Sequence, residues 1–156
     1  MVQLDHKFSE AFGHAVLAYK AGRLEEAERL CQQILTGNDE FFDALYLLAI
    51  VQAAQGQKEN ALTSFKRALA VRPNAALALN DLGLLLHELK RDDEAVATYD
   101  RALALRPDFA LAHFRRGNVC KSCSDTKRHS RAMTARSLCG PNLPRPISIA
   151  AMFSSN

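Results

Sequence analysis

ALALNDLGLLLHELKRDDEAVATYDRALALRP, residues Ala76 to Pro107, is the stretch whose reading decides the fold. It contains two amphipathic helical segments, joined by a tight turn and closed by a proline. Its key positions recur at a period of 34 residues. Gly83 has Ala49 and Ala15 one and two periods upstream and Gly117 one period downstream. In the second segment Ala27, Ala61 and Ala95 share a position, and four residues on stand Cys31, Phe65 and Tyr99. Ile34, Ala68 and Ala102 follow, then Pro73 and Pro107; Asp39 stands where the first unit would carry its proline.

The physical reason for such a pattern is close packing. Small residues at Ala49 and Gly83, and at Ala61 and Ala95, let helix A and helix B of one unit approach closely. Large ones at Phe65 and Tyr99 fill the gap to the next unit. The prolines lack an N–H and disfavour helix in the preceding residue, so helix B should stop near Arg72 and Arg106, with Asn74 and Asp108 as expected N-caps of the next helix A. No unit buries its apolar face alone, so three or more must stack.

Leu82-Gly83, Ala95, Tyr99, Ala102 and Pro107 together resemble the tetratricopeptide repeat, over residues 8 to about 120. The tryptophan some members carry early in helix A is replaced by Ala11, Leu45, Leu79 and His113. The resemblance implies an all-α, right-handed solenoid of about three and a half helix-turn-helix units, at 8–41, 42–75, 76–109 and a half unit at 110–120. The expected helices are Val2–Ala21, Leu24–Leu35, Phe41–Gln55, Lys58–Val71, Ala75–Leu89, Asp92–Leu105 and Phe109 to about Val119.

Composition narrows the classes. The 156 residues are 48% apolar but only 7% aromatic, which suits an Ala/Leu helical stack. The net charge of +3 is unevenly placed. Residues 1–120 hold fourteen Lys and Arg against sixteen Asp and Glu, whereas 121–156 hold six against one. The repeats are therefore mildly acidic and offer no nucleic-acid-binding surface. The apolar runs are too short to span a bilayer, and Met1 to Glu10 lacks a signal-peptide core, so a cytoplasmic location is expected.

From Cys120 onward, CKSCSDTKRHSRAMTARSLCGPNLPRPISIAAMFSSN has no helical period and is rich in Ser, Arg and Pro, so residues 121–156 are expected to form a basic, disordered tail. A one-base shift starting from the last base of the Lys121 codon, with codons chosen where they are degenerate, permits ELQRYEEALASYDRALAVRP and then, one residue later, FAEAHFNRGNV. Part of this is forced: Met133-Thr134 must yield Asp in phase with Asp100, and Met152-Phe153 must yield Val in phase with Val119. The reading that follows is that the tail is a frameshift product and that the parent sequence carries further repeats.

No catalytic constellation is present in the pattern, and the chain is not expected to be an enzyme or to hold a cofactor. The seven glycines include no G-x-G for a phosphate loop. Cys120, Cys123, His129 and Cys139 lack the second tight pair of a structural zinc site, so no metal is expected. Cys31 shares the Phe65 and Tyr99 position and should be a buried thiol. Asp92-Asp93-Glu94 fits a solvated first turn that complements the helix dipole. His14 and His113 fall on packed or edge positions of helix A, while His87 should face the groove.

The resemblance implies a concave wall built by helix A of each unit. By register it includes Phe12, Val16, Tyr19 and Lys20 in the first unit, and Asp43, Tyr46 and Ile50 in the second. Asn80, Leu84 and His87 belong to the third, Phe114 and Asn118 to the fourth. Phe12, Tyr46 and Phe114 share one position with Asn80 between them, a row of exposed aromatics flanking an amide that suits an extended peptide. The Lys/Arg clamp of tetratricopeptide domains that grip carboxylate termini is not evident. The expected function is a scaffold for a protein or peptide ligand, with no nucleic-acid or membrane partner. Phrases such as YDRALALRPDFALAHFRRGN are also similar to repeat arrays of bacterial relatives of O-linked N-acetylglucosamine transferase, so the alternative is a truncated substrate-selecting arm of such an enzyme. Without a fourth helix B, Leu111 and Phe114 should be exposed and favour self-association through the C-terminal face.

Overall fold

Gly22, Gly56 and Lys90 stand one period apart, and each ends a helix A in the left-handed region, at φ 75°, 80° and 62°. At each turn the following N–H reaches back five residues (Arg23 to Ala18, Gln57 to Gln52, Arg91 to Leu86, 2.8–2.9 Å), and the left-handed residue's own N–H reaches back three. This is the Schellman closure of a helix C-terminus. Lys90 alone makes it with a Cβ. Lys90→Gly is therefore expected to raise the unfolding free energy by about 0.5–1 kcal/mol, measured by chemical denaturation. A loss would mean that the Lys90 side chain matters more than its backbone.

A computed structural model describes the backbone of residues 2–138 and the side chains of residues 8–124. Seven helices follow one another: α1 (Val2–Lys20), α2 (Leu24–Gly37), α3 (Phe42–Ala54), α4 (Lys58–Val71), α5 (Ala76–Glu88), α6 (Asp92–Leu105) and α7 (Ala110–Leu138). The chain divides into residues 1–121 and 122–156. The first unit is an all-α solenoid of stacked helix pairs. Of the second, the described part is the helical stretch to Leu138.

Helices B end where expected, with Arg72 and Arg106 as extended C-caps ahead of their prolines. Asn38 has the same extended conformation ahead of Asp39, so the first unit makes this exit without a proline. Asn74 and Asp108 do not cap the next helix. The N–H groups of Ala75 and Phe109 instead bond back to the carbonyls of Arg72 and Arg106 (3.3 and 3.1 Å), which leaves Asn74 and Asp108 as the third residues of a tight turn. Helix α7 also departs from expectation: it runs past Val119 to Leu138. Ser124 stands where Gly22, Gly56 and Lys90 turn the chain, and no glycine or proline follows before Gly140, so nothing local breaks the helix. The rest of the expected tail, 139–156, lies outside the described residues.

Every repeat position of helix B is buried as its pattern requires. Ala27, Ala61 and Ala95 are inaccessible, as are Cys31, Phe65 and Tyr99, and Ile34, Ala68 and Ala102 pack beneath them. One cluster joins α1, α2 and α3 around Cys31, Leu48 and Val51; a larger one runs from Ala49 and Phe65 to Tyr99, Ala112 and Val119. Burial pushes the Cys31 thiol up to about 12, with the Glu28 carboxylate adding to the effect. At pH 8 Cys31 should resist a thiol reagent in the folded chain and react on unfolding. Counting modified thiols by mass before and after denaturant checks this, and rapid modification of native Cys31 would contradict its burial.

Candidate functional site

The wall formed by the helices A is built by side chains that helix B leaves uncovered. Between units 2 and 3 it holds a cleft of about 410 Å³. Ile50, Ala53 and Ala54 of α3 and Leu84 and Leu85 of α5 line it, with Phe65 behind them and Tyr19, Asp81 and Glu88 at its edges. Alanine at 53 and 54 opens this space, because any larger residue there would fill it. A second cleft, about 490 Å³, lies by Phe42, Asp43, Tyr46, Arg72, Leu77 and Arg106. The Arg72 guanidinium sits 4.2 Å over the Phe42 ring there. A more capacious hollow of about 740 Å³ lies by the turns at Gly22 and Gln55, among Glu25, Glu26 and Glu28. Apart from Gly22 and Leu24 its lining side chains are polar or charged, which leaves little apolar surface to anchor a ligand.

The expected wall residues divide into three groups. Tyr19, Ile50 and Leu84 do line the central cleft, and Asp43 and Tyr46 line the second. Lys20, Phe114 and Asn118 are exposed, Phe114 to 66%, and Val16 is half-buried. The row of exposed aromatics flanking an amide is not present in that form. Phe12 is half-buried with its ring edge-on to Phe41 at 5.8 Å, and Tyr46 stacks on Phe42 at 5.9 Å and meets Phe65 edge-on at 6.1 Å. Asn80 is only 2% exposed, and its amide donates to Asp81 (3.0 Å) rather than facing a ligand. His87 is half-buried with Nδ1 2.6 Å from Asp92, so it ties helix A to helix B across the Lys90 turn. His14 and His113 are exposed, and His113 lies 2.8 Å from the Pro107 carbonyl.

Sequence register missed a polar relay along this wall. The Tyr46 hydroxyl donates to one Asp81 carboxylate oxygen at 2.6 Å; Arg115 donates to the other at 3.2 Å. Three successive units are thereby linked through one carboxylate. Burial, and then the hydrogen bond to Asp81, pushes the Tyr46 phenol well above its usual range. The readable signal was a tyrosine, an acid and an arginine, each about one unit apart on the same helix face. On the far edge, Glu88 pairs with Lys58 at 3.2 Å, so both carboxylates beside the central cleft are neutralised by bases of the chain itself.

A tetratricopeptide repeat model matches residues 12–70 and again 46–110, together well over half of the chain. The chain belongs to the tetratricopeptide repeat family. No curated protein matches its sequence. Among solved structures, an O-GlcNAc transferase variant of Thermobaculum terrenum is 26% identical with a TM-score of 0.71, over 76% of this chain and 23% of that one. The chain thus spans about a quarter of that enzyme. The first tetratricopeptide domain of Spaghetti, bound to an HSP90 peptide, is 17% identical (TM-score 0.74, 76% of this chain, 94% of that one). MamA is 19% identical (TM-score 0.72, 75% and 68%). The tetratricopeptide fold supports a protein-interaction scaffold. Among the described residues no helix is long and apolar enough to cross a membrane, and no three metal-binding side chains converge. The His129 side chain and Cys139 lie outside the described residues.

Proposed function

We propose that this tetratricopeptide chain is a non-catalytic scaffold that binds an extended peptide segment of a partner protein along the helix-A wall. The observation that carries this reading is the central cleft, which is apolar at its base among Ile50, Ala53, Ala54 and Leu84 and flanked by carboxylates already paired within the chain. Such a site rewards an uncharged apolar anchor more than a charged terminus. The peptide-bound Spaghetti domain has the same fold, which lends the mode of binding support.

Selection from a displayed peptide library tests it. The chain should enrich peptides with a spaced apolar residue, and Ala54→Arg, at an exposed position, should abolish enrichment while leaving Tm unchanged. If nothing is enriched, or if Ala54→Arg retains the same peptides, the cleft is not the binding site. The likeness to the Thermobaculum transferase supports a second reading, in which the same wall selects substrates for a glycosyltransferase domain encoded further downstream. A downstream coding sequence without such a domain would remove that reading and leave the first intact.

A further inference from the structure

The residues just ahead of α3, α5 and α7 are Phe41, Ala75 and Phe109, one period apart. Two of the three carry a ring and the middle one does not. The Phe41 ring lies edge-on to Phe12 of α1 at 5.8 Å. One period on, Tyr46 replaces Phe12 while Ala75 replaces Phe41, and both residues line the cleft of about 490 Å³. The backbone there accepts a ring, since Ala75 (φ −82°, ψ 89°) and Phe41 (φ −73°, ψ 97°) share one conformation. Ala76, where the second unit has Phe42, leaves still more room. The cleft thus lies where the units on either side supply a ring and this one supplies a methyl group.

Its charges also differ from those of the central cleft. Arg72 and Arg106, one period apart, both line it, with Asp43 as the acid. Each guanidinium lies over a ring, Arg72 over Phe42 at 4.2 Å and Arg106 over Phe109 at 5.1 Å. A guanidinium that stacks by its face keeps the N–H donors that point outward in its plane. Both arginines are exposed, and among the described residues neither pairs with a carboxylate. Two bases against one acid leave this cleft net positive, whereas the carboxylates beside the central cleft are already neutralised. We propose that the cleft receives an aromatic side chain of the bound peptide, and that Arg72 and Arg106 hold an acidic residue next to it. The proposal rests on the peptide-binding reading but on a cleft of its own. The ligand ring meets Tyr46 as Phe41 meets Phe12, and the carboxylate takes the guanidinium N–H groups that stacking leaves open. An aromatic residue flanked by lysine or arginine is disfavoured by the same charges.

An NMR titration of the isotope-labelled full chain at low salt tests this with a minimal probe, an end-capped dipeptide of phenylalanine and glutamate. Saturable shifts should centre on the backbone amides of Ala75, Ala76 and Leu77. Ala75→Phe supplies the ring from within the chain and should abolish saturation, with a dispersed spectrum and an unchanged or higher Tm showing that it folds. Replacing the probe's glutamate by glutamine, or combining Arg72→Gln with Arg106→Gln, should weaken binding by about three- to fivefold. If Ala75→Phe misfolds, the arginine variant and the glutamine probe decide the matter. Shifts centred on Ala53 and Leu84, or on Phe114, place the ring elsewhere and overturn the proposal. So does a folded Ala75→Phe chain that binds as before, a glutamine probe that binds equally well, or the absence of any saturable shift. The central cleft is judged separately: the probe carries a single ring whose place the shifts report, so library peptides that ignore Ala54→Arg would leave this result intact.

Discussion

Truncating Tyr99 to alanine is expected to lower the unfolding free energy by about 3–5 kcal/mol, the range for removing a buried aromatic ring. The ring is inaccessible and lies against Gly83, so its loss opens a cavity between α5 and α6 that helices held by two turns cannot close. Tyr99→Phe should change stability by no more than about 1 kcal/mol. Phe65 fills the same position one unit upstream, and the Tyr99 hydroxyl has no hydrogen-bond partner among the described side chains. Urea unfolding at constant m-value separates the two outcomes, and a loss below about 1 kcal/mol for the alanine variant would show that the ring is not part of the core.

The same ring gives a pH dependence. Burial raises the Tyr99 phenol from 10.0 to about 12 and the Cys31 thiol from 9.0 to about 12, so in both cases the folded chain favours the neutral form. A folded-state pKa above the unfolded one means that the native state holds the proton longer. The stabilisation is therefore complete below the unfolded value and is lost as pH rises through the folded one. Stability should be level with respect to these groups below about pH 9, then decline toward 12. Tyr99→Phe should flatten the part of the decline that begins near 10.

Asp81→Ala is expected to cost about 2–3 kcal/mol, because Tyr46, Asn80 and Arg115 all lose their acceptor together in a partly buried setting. Asp81→Asn keeps one acceptor oxygen and should cost less. A double-mutant cycle with Tyr46→Phe should return a coupling of about 1 kcal/mol, and additivity would show that the 2.6 Å contact contributes nothing of its own. Because Tyr46 and Asp81 border the two clefts, Asp81→Ala should also weaken any ligand selected by the wall.

The period of the small and large residues carried most of the fold. Ala49, Gly83, Phe65, Tyr99 and the pre-proline arginines all took their expected places, since each is dictated by contacts within one unit or with its immediate neighbour. The wall was less legible. Register placed Asn80 and His87 among the ligand-facing residues, but the structure engages them with Asp81 and Asp92. Register gives only an angle around a helix. It does not tell which of two adjacent polar side chains finds a partner on the next unit.

The sequence by itself thus determined the helix pairs, their turns and the side chains that lock them, because these depend on short-range sterics and on a repeated pattern of sizes. The tertiary structure alone decided which wall residues are spent on packing and which remain free, and it alone revealed the relay through Asp81. It also showed that α7 continues to Leu138, past the position where the earlier units turn. These outcomes turn on hydrogen-bond partners and steric neighbours contributed by residues one unit or more away, and no single unit of sequence encodes those distances.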